Sequence, residues 1–312
     1  MITIDDVEAA ARTIAGRVHR TPILWSNTLG VWFKAELFQK TGAFKVRGAL
    51  NKISALTAEE RARGVATVSA GNAGQAVAWA AREEGIDALI VTWKDADSTK
   101  VAAMRGYGAT VDMDADGPST AFDRLREVLE ESGRTLVHPF DDPLVIAGQG
   151  TVGLEILEDG PVPDVVLAAT GGGGLISGIA VAVKARNPNA RVISVEPEGS
   201  CALRAALEAG HPVPVTPQTA ADALTGPFAG AHCLEICQTL GVESVLVSED
   251  ELTDAFRWIY ARTKFACELG AAAPTAALLS GKVPIETGRT VVSVVSGGNV
   301  AAKQAAAILA GR

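Results

Sequence analysis

The segment that most constrains this chain is Asp164–Val165–Val166–Leu167–Ala168–Ala169–Thr170, followed at once by Gly171–Gly172–Gly173–Gly174 and an apolar helical window. A hydrophobic strand that runs into glycines and a helix start presents bare backbone N–H groups, and the helix dipole adds an attraction for anions. Glycine belongs where a side chain would block close approach of a ligand to the backbone. Such a loop is either a phosphate cradle or a tight strand–helix turn without ligand. Four successive glycines are entropically costly, which favours the cradle.

The same alternation of strand and helix runs along the whole chain. Short Val- and Ile-rich runs predict strands at Val31–Phe38, Val65–Ser69, Ala88–Trp93, Thr110–Met113, Asp164–Thr170, Arg191–Glu196, Ser244–Val247 and Thr290–Val295. Ala-rich windows between them predict helices at Gly74–Glu84, Ser119–Ser132, Leu175–Arg186 and Glu249–Phe265, the last capped by Asp250 or Ser248. This is the pattern of βαβ units, an α/β fold of parallel sheets flanked by helices. At ~100–200 residues per domain, the 312 residues suggest two domains or one large unit with a smaller lobe. The Pro- and Gly-rich stretches Asp159–Pro163 and His211–Pro217 read as loops rather than linkers.

Composition narrows the function classes. With 48% hydrophobic residues the chain can bury a large core without disulfides or metals, and disorder is excluded. A net charge of −8 without a basic cluster argues against a nucleic-acid partner. The N-terminus carries early acids and is no signal peptide, and the longest uncharged run, Val165 to Val183, is broken by the glycines and makes a poor membrane span. Cys201, Cys233, Cys237 and Cys267 without an export signal read as reduced thiols in a cytoplasmic protein. His232–Cys233 and Cys237 lack a second ligand pair at zinc spacing, so no metal is expected. Neither G-x-S-x-G nor H-E-x-x-H is present to anchor a serine or zinc hydrolase.

Three further segments offer chemistry. Lys45, between Phe44 and Val46 at a helix start, is either a desolvated amine nucleophilic toward carbonyl carbon or a snorkelling surface lysine. Ser69–Ala70–Gly71–Asn72–Ala73–Gly74–Gln75, at a strand end and helix start, suits a carboxylate or phenolate oxygen, or is simply an N-cap with glycine for the turn. Ser296–Gly297–Gly298–Asn299 either meets a ligand through its hydroxyl and amide or caps the final helix. Glu196 closes the strand 25 residues after Gly171, where a dinucleotide fold places its ribose-binding acid, but the G-x-G-x-x-G spacing fails at Ile176 and Ser177. NAD therefore stands second to another phosphate-bearing ligand.

Taken together, these sites resemble the serine/threonine dehydratase and serine racemase family, pyridoxal 5′-phosphate enzymes with a two-lobe tryptophan synthase β-like fold. The resemblance runs from His19–Arg20–Thr21–Pro22 through Leu37–Phe38–Gln39–Lys40, Tyr107–Gly108–Ala109, His138–Pro139–Phe140–Asp141–Asp142–Pro143 and Ile146–Ala147–Gly148–Gln149–Gly150–Thr151 to Ser296–Asn299. It implies that Lys45 holds the cofactor covalently and acts as base at Cα. It also implies that Gly171, Gly172, Gly173 and Gly174 cradle the phosphate and that Asn72 contacts the ring 3′-oxygen. Ser296 would sit at the pyridine nitrogen and Phe44 beside the ring, while Ser69, Ala70, Gly71, Asn72 and Ala73 would form the substrate-carboxylate loop. A neutral hydroxyl at the ring nitrogen limits carbanion delocalisation and favours β-elimination, so the implied reaction turns a β-hydroxy L-amino acid such as L-threonine or L-serine into a 2-oxo acid and ammonia. The implied architecture is a large cofactor-binding domain of residues 1–63 and 142–312 and a small mobile domain, 64–141, in a cytoplasmic homodimer acting on a small amino acid. No regulatory domain follows residue 312, so feedback control of the kind carried by longer dehydratases is not expected.

Departures from the family pattern cluster near the substrate. Ala70 stands where racemases carry a second Ser as base, which disfavours racemisation. Ala73 replaces a usual His, Ala223 a usual Gly, and Glu268–Leu269–Gly270 a common Glu-Pro. The cation site of some relatives maps to Glu196, Ser200 and Ala202, and with no carboxylate at Ala202 a divalent cation is not expected. The rivals are a racemase, a β-replacement enzyme on the same cofactor, a nicotinamide enzyme and a catalytically silent cofactor-binding protein.

Overall fold

A computed structural model describes residues 1–311, leaving aside the side chains of Pro118 and Ser119. The strands are β1 (Ile23–Ser26), β2 (Val31–Ala35), β3 (Val65–Val68), β4 (Ala88–Trp93), β5 (Thr110–Ala115), β6 (Thr135–Leu136), β7 (Val165–Ala169), β8 (Arg191–Pro197), β9 (Glu243–Val247) and β10 (Val291–Val295). Six of them form one sheet in the order β1-β2-β10-β7-β8-β9 and four a second, β5-β4-β3-β6. Every pairing is parallel except β1 with β2 at the edge. Parallel strands need covering on both faces, and β3, β7 and β10 are accordingly buried at every residue.

The first helices are α1 (Ile4–Ile14), α2 (Val46–Ser54), α3 (Ala58–Arg63), α4 (Asn72–Glu84), α5 (Ser98–Gly106), α6 (Pro118–Ser132) and α7 (Pro143–Asp159). They are followed by α8 (Gly174–Arg186), α9 (Ala202–Ala209), α10 (Ala231–Thr239), α11 (Glu249–Thr263), α12 (Ala273–Leu279) and α13 (Ala302–Leu309). Three central helices touch through glycine. A Cβ on Gly178 of α8 would lie 2.5 Å from the Gly150 nitrogen of α7, and one on Gly148 of α7 would lie 2.6 Å from the Arg47 carbonyl of α2. The glycines thus set the spacing of α7 against α2, whose N-cap is Lys45, and against α8, which begins at Gly174. Among the described residues no helix is long and apolar enough to cross a membrane.

The expected α/β architecture is present, with three local corrections. The strand expected over Val31–Phe38 stops at Ala35, because Glu36–Phe38 curls into a 3-10 turn that aims the Glu36 carboxylate inward. β1 and β6 were not expected. β1 is an edge strand with Leu24 and Trp25 exposed, and β6 spans only two residues, so neither has a readable apolar pattern. Of the two caps considered for α11, Ser248 takes the role: its hydroxyl accepts the Glu251 N–H at 3.2 Å and the Glu251 carboxylate accepts the Ser248 N–H at 2.7 Å.

Glu36 belongs to a buried cluster of two cations and two anions. Arg47 donates to both Glu36 oxygens at 2.8 Å and to the two Glu155 oxygens at 2.6 and 2.9 Å. Lys34 adds a 2.6 Å bond to Glu155 and another to the Thr21 carbonyl. Lys34, Glu36 and Arg47 are all 0% exposed. Burial alone would push the Glu155 carboxyl up, yet Arg47 and Lys34 outweigh it and hold it below its ordinary value. The cluster ties β2, the turn after it, α2 and α7 into one unit. Arg47→Met, which leaves the buried Glu36 carboxylate without a cation and Glu155 with Lys34 alone, is expected to destabilise the fold by about 3–5 kcal/mol in urea unfolding. A loss below about 1 kcal/mol would mean that these charges behave as if solvated.

Candidate active site

The carboxyl ends of β3, β7 and β10 face a cavity of about 530 Å³, lined by Phe44, Lys45, Ser69, Ala70, Gly71, Asn72, Ala73, Gly171, Gly172, Gly173, Gly174 and Ser296. The residues that the family resemblance assigns to cofactor and substrate therefore meet in one space, where open parallel sheets usually place their ligands.

Lys45 is the N-cap of α2, delivered into the cavity by a braced loop. Phe44 donates its N–H to the Ser296 carbonyl at 3.1 Å, Ala43 bridges Gly297, and Gly298 donates to the Gly42 carbonyl at 2.8 Å. Thr41 and Gly42 both adopt left-handed backbone, and a Cβ on Gly42 would lie 2.5 Å from the Asn299 oxygen. The Lys45 ammonium donates to the Pro139 carbonyl at 2.6 Å and lies 5.1 Å from the centre of the Phe44 ring. Part of the side chain stays open to the cavity, but protein surrounds the nitrogen, and desolvation lowers its pKa to about 8. This is the desolvated amine of the two alternatives, not the snorkelling one.

The glycine loop is shaped for close approach. Gly173 has φ +102°, a Cβ on Gly172 would run into the Phe140 ring, and one on Gly174 would lie 2.8 Å from the Phe140 carbonyl. None of the N–H groups from Gly171 to Ile176 finds an acceptor among the described residues. They stand at the positive end of α8, a helix of 13 residues.

The Asn72 loop joins the four-stranded sheet to the other sheet. Asn72 donates through Nδ2 to both Glu268 oxygens, at 2.8 and 3.0 Å, and accepts from Asn299 Nδ2 at 2.8 Å. Asn299 uses its other hydrogen on the Thr41 carbonyl at 2.7 Å. The alternative in which Ser296–Asn299 caps the final helix is thereby overturned: α13 has Ala301 as N-cap, without a side-chain bond. The Ser69 hydroxyl accepts the Gly71 N–H at 3.0 Å, and the Ser296 hydroxyl has no partner among the described residues.

Glu196 does not serve the cavity. It is 0% exposed, and its oxygens accept the N–H groups of Leu203 and Arg204 at 2.8 and 2.9 Å, which anchors the start of α9. That arrangement removes the support for a ribose-binding acid. The same two N–H groups occupy the carboxylate that maps to the cation site of some relatives. Cys233 and Cys237 lie buried on α10, and burial pushes the Cys237 thiol up to about 12.

Sequence reasoning missed Glu268, Lys100 and Asp222 as site residues. Glu268 had a signal: it is the only charged residue between Lys264 and Lys282, inside a run of apolar and small residues. Lys100 of α5 and Asp222 of the 3-10 turn Asp222–Leu224 form an ion pair at the cavity wall, and no local pattern pointed to it.

The comparisons with known proteins agree with this geometry. Residues 14–297 match the family model described as pyridoxal-phosphate dependent enzyme. The chain is 41% identical over 307 residues to the L-threonine ammonia-lyase of Thermotoga maritima, covering 96% of this chain and 76% of that protein. It is 41% identical over 308 residues to the catabolic L-threonine dehydratase TdcB of Escherichia coli, covering 96% and 93%. Among solved structures, a T.th. threonine deaminase superposes with a TM-score of 0.90 at 40% identity, covering 96% of this chain and 99% of that one. Maize serine racemase superposes with a TM-score of 0.92 at 36% identity, covering 96% and 94%. With its two parallel sheets, its glycine loop and its lysine in the cleft between them, the chain belongs to the pyridoxal-phosphate dependent enzymes.

Proposed function

We propose that this enzyme removes water from a β-hydroxy L-amino acid, L-threonine foremost and L-serine next, and releases a 2-oxo acid and ammonia. The observation that carries the reading is a desolvated amine, Lys45, facing the same cavity as a run of unpaired N–H groups at the start of α8. The relatives named for threonine ammonia-lyase, dehydratase and deaminase activity support the substrate class.

The residues present fit the cofactor. Six consecutive N–H donors at a helix start suit a phosphate dianion, and any side chain at Gly172 would displace Phe140. Gly171, Gly172, Gly173 and Gly174 would therefore hold the phosphate, Lys45 the carbonyl carbon, Asn72 the ring oxygen, Ser296 the ring nitrogen and Phe44 one flank of the ring. Bound pyridoxal phosphate supplies the electron sink that makes a Cα–H bond breakable.

The chain's own groups do the rest. Ser69 and the backbone of Ala70, Gly71, Asn72 and Ala73, at the N-terminus of α4, receive the substrate carboxylate. The Lys45 amine, in its neutral form, would take the proton from the substrate Cα. The β-hydroxyl then departs as water after gaining a proton, and the released enamine takes up water again, so the net products are the 2-oxo acid and ammonia. Phe140, packed edge-on to His138 with ring centres 4.6 Å apart, helps keep bulk water from the reacting carbons. Ala70 offers no second proton donor, which keeps the chemistry on elimination.

Residues 64–141 form the small lobe on this reading, and residues 1–63 and 142–312 the large one. The supporting feature is that the four-stranded sheet draws its strands only from Val65 to Leu136. The small lobe closes over substrate, with Lys100 and Asp222 meeting across the cleft. The enzyme acts as a cytoplasmic homodimer, in keeping with four cysteines that form no disulfide.

Lys45→Ala is expected to lower 2-oxo acid release from L-threonine by more than about 10³-fold. Retention of turnover would remove Lys45 from the chemistry. Covalent capture of pyridoxal phosphate by the apoprotein, followed by visible absorbance, is expected to accelerate as pH rises through about 8, because only the unprotonated amine attacks. A rate that goes on rising toward about pH 10, without levelling off above 8, would show an amine exposed to solvent. Chiral chromatography after incubation with L-serine is expected to show pyruvate and no D-serine; accumulation of D-serine would assign a racemase instead.

A further inference from the structure

Asn72 is held at the cavity by partners that leave its amide no freedom. The Thr41 carbonyl can only accept, so Asn299 must turn its NH₂ group toward it, and the second Asn299 hydrogen then meets the Asn72 oxygen. That contact points the Asn72 NH₂ group at Glu268. The two oxygens of one carboxylate lie too close together to take both hydrogens of an amide, which diverge by about 120°. One Asn72 N–H therefore serves Glu268, and the other is left for a ligand oxygen.

Glu268 sits in a space reserved for it. It is 2% exposed, its N–H donates to the Gly297 carbonyl at 3.0 Å, and a Cβ on Gly297 would collide with its Oε1. The charged groups that face it are Lys45 from the start of α2, Lys100 from α5 and Asp222 from the 3-10 turn, and among the described residues none forms an ion pair with it. A carboxylate seated this deeply with only an amide for partner is expensive unless it performs a task.

We propose that Glu268 is a positioning residue for Asn72, fixing the direction of its amide and, through that amide, tuning the negative charge on the ring oxygen of the bound cofactor. The inference rests on the cofactor site proposed above. Desolvation, partly offset by the Asn72 hydrogen bond, raises the Glu268 carboxyl to about 7, so both of its forms are populated near neutrality. Above that pH the ionised carboxylate draws on the Asn72 amide and so weakens the hydrogen bond that amide offers the ring oxygen. Below it the neutral acid relieves the effect.

The test is the pH dependence of the visible absorbance of the holoenzyme, recorded without substrate. Wild type is expected to show a transition near pH 7, Glu268→Gln to hold the low-pH spectrum throughout, and Asn72→Ala to lose the transition although Glu268 remains. A transition that survives in Glu268→Gln, or in Asn72→Ala, would overturn the proposal, as would its absence from wild type. Thermal unfolding of each variant separates a spectral effect from a damaged fold. Failure of the cofactor reading looks different: wild type mixed with pyridoxal phosphate would then show no protein-bound band at all.

Discussion

The buried cluster of Lys34, Glu36, Arg47 and Glu155 is the contact on which the rest of the structure depends. Charges removed from water are tolerated only when paired and hydrogen-bonded, so each of the four dictates where the others must be. Arg47 serves two carboxylates that come from different parts of the chain, the turn after β2 and the middle of α7. With its second residue fixed in that way, α2 has one available direction, and Lys45 at its start is aimed into the cleft. The proposed nucleophile is thus oriented by a charge cluster that lies outside the lining of the cavity.

A second chain of contacts runs across the cleft. Asn299 braces the left-handed turn at Thr41 and Gly42 and grips Asn72 on α4, while Glu268 takes the other side of the same amide. The two sheets are therefore coupled at the floor of the cavity by amides, and at its rim by the ion pair of Lys100 and Asp222. A floor of short side chains fixed by several bonds and a rim of one exposed pair differ in how easily they part. Motion of the smaller sheet would pivot about Asn72 while the rim opens.

Much of this was legible in the sequence. The glycine loop after β7, the lysine at a helix start and the Asn loop after β3 are local patterns, because backbone N–H groups, glycine and helix starts have local signatures. What escaped were features made by distant residues. From its neighbours alone Asn299 reads as a ligand contact or as a cap, and only its bonds to Thr41 and Asn72, far back in the chain, reveal its role. Glu36 inside an apolar run looked like strand until Arg47 drew it inward. Glu196, at the end of β8, had the spacing of a ligand acid, yet the start of α9 claims both its oxygens. A short edge strand such as β1, with Leu24 and Trp25 exposed, carries no alternation to detect.

The division between backbone and side chain at the cavity has a consequence for how such an enzyme diversifies. The proposed phosphate grip consists of N–H groups from Gly171 to Ile176, which every amino acid except proline possesses, so it is lost through changes that bend the chain or fill the glycine loop with side chains. The proposed substrate end is a wall of interchangeable side chains that line the cavity, Ala70, Ala73, Trp93, Phe122 and Phe140. Mutation can therefore redraw the list of amino acids accepted while the cofactor stays in place, and new specificities are reached without passing through an empty enzyme.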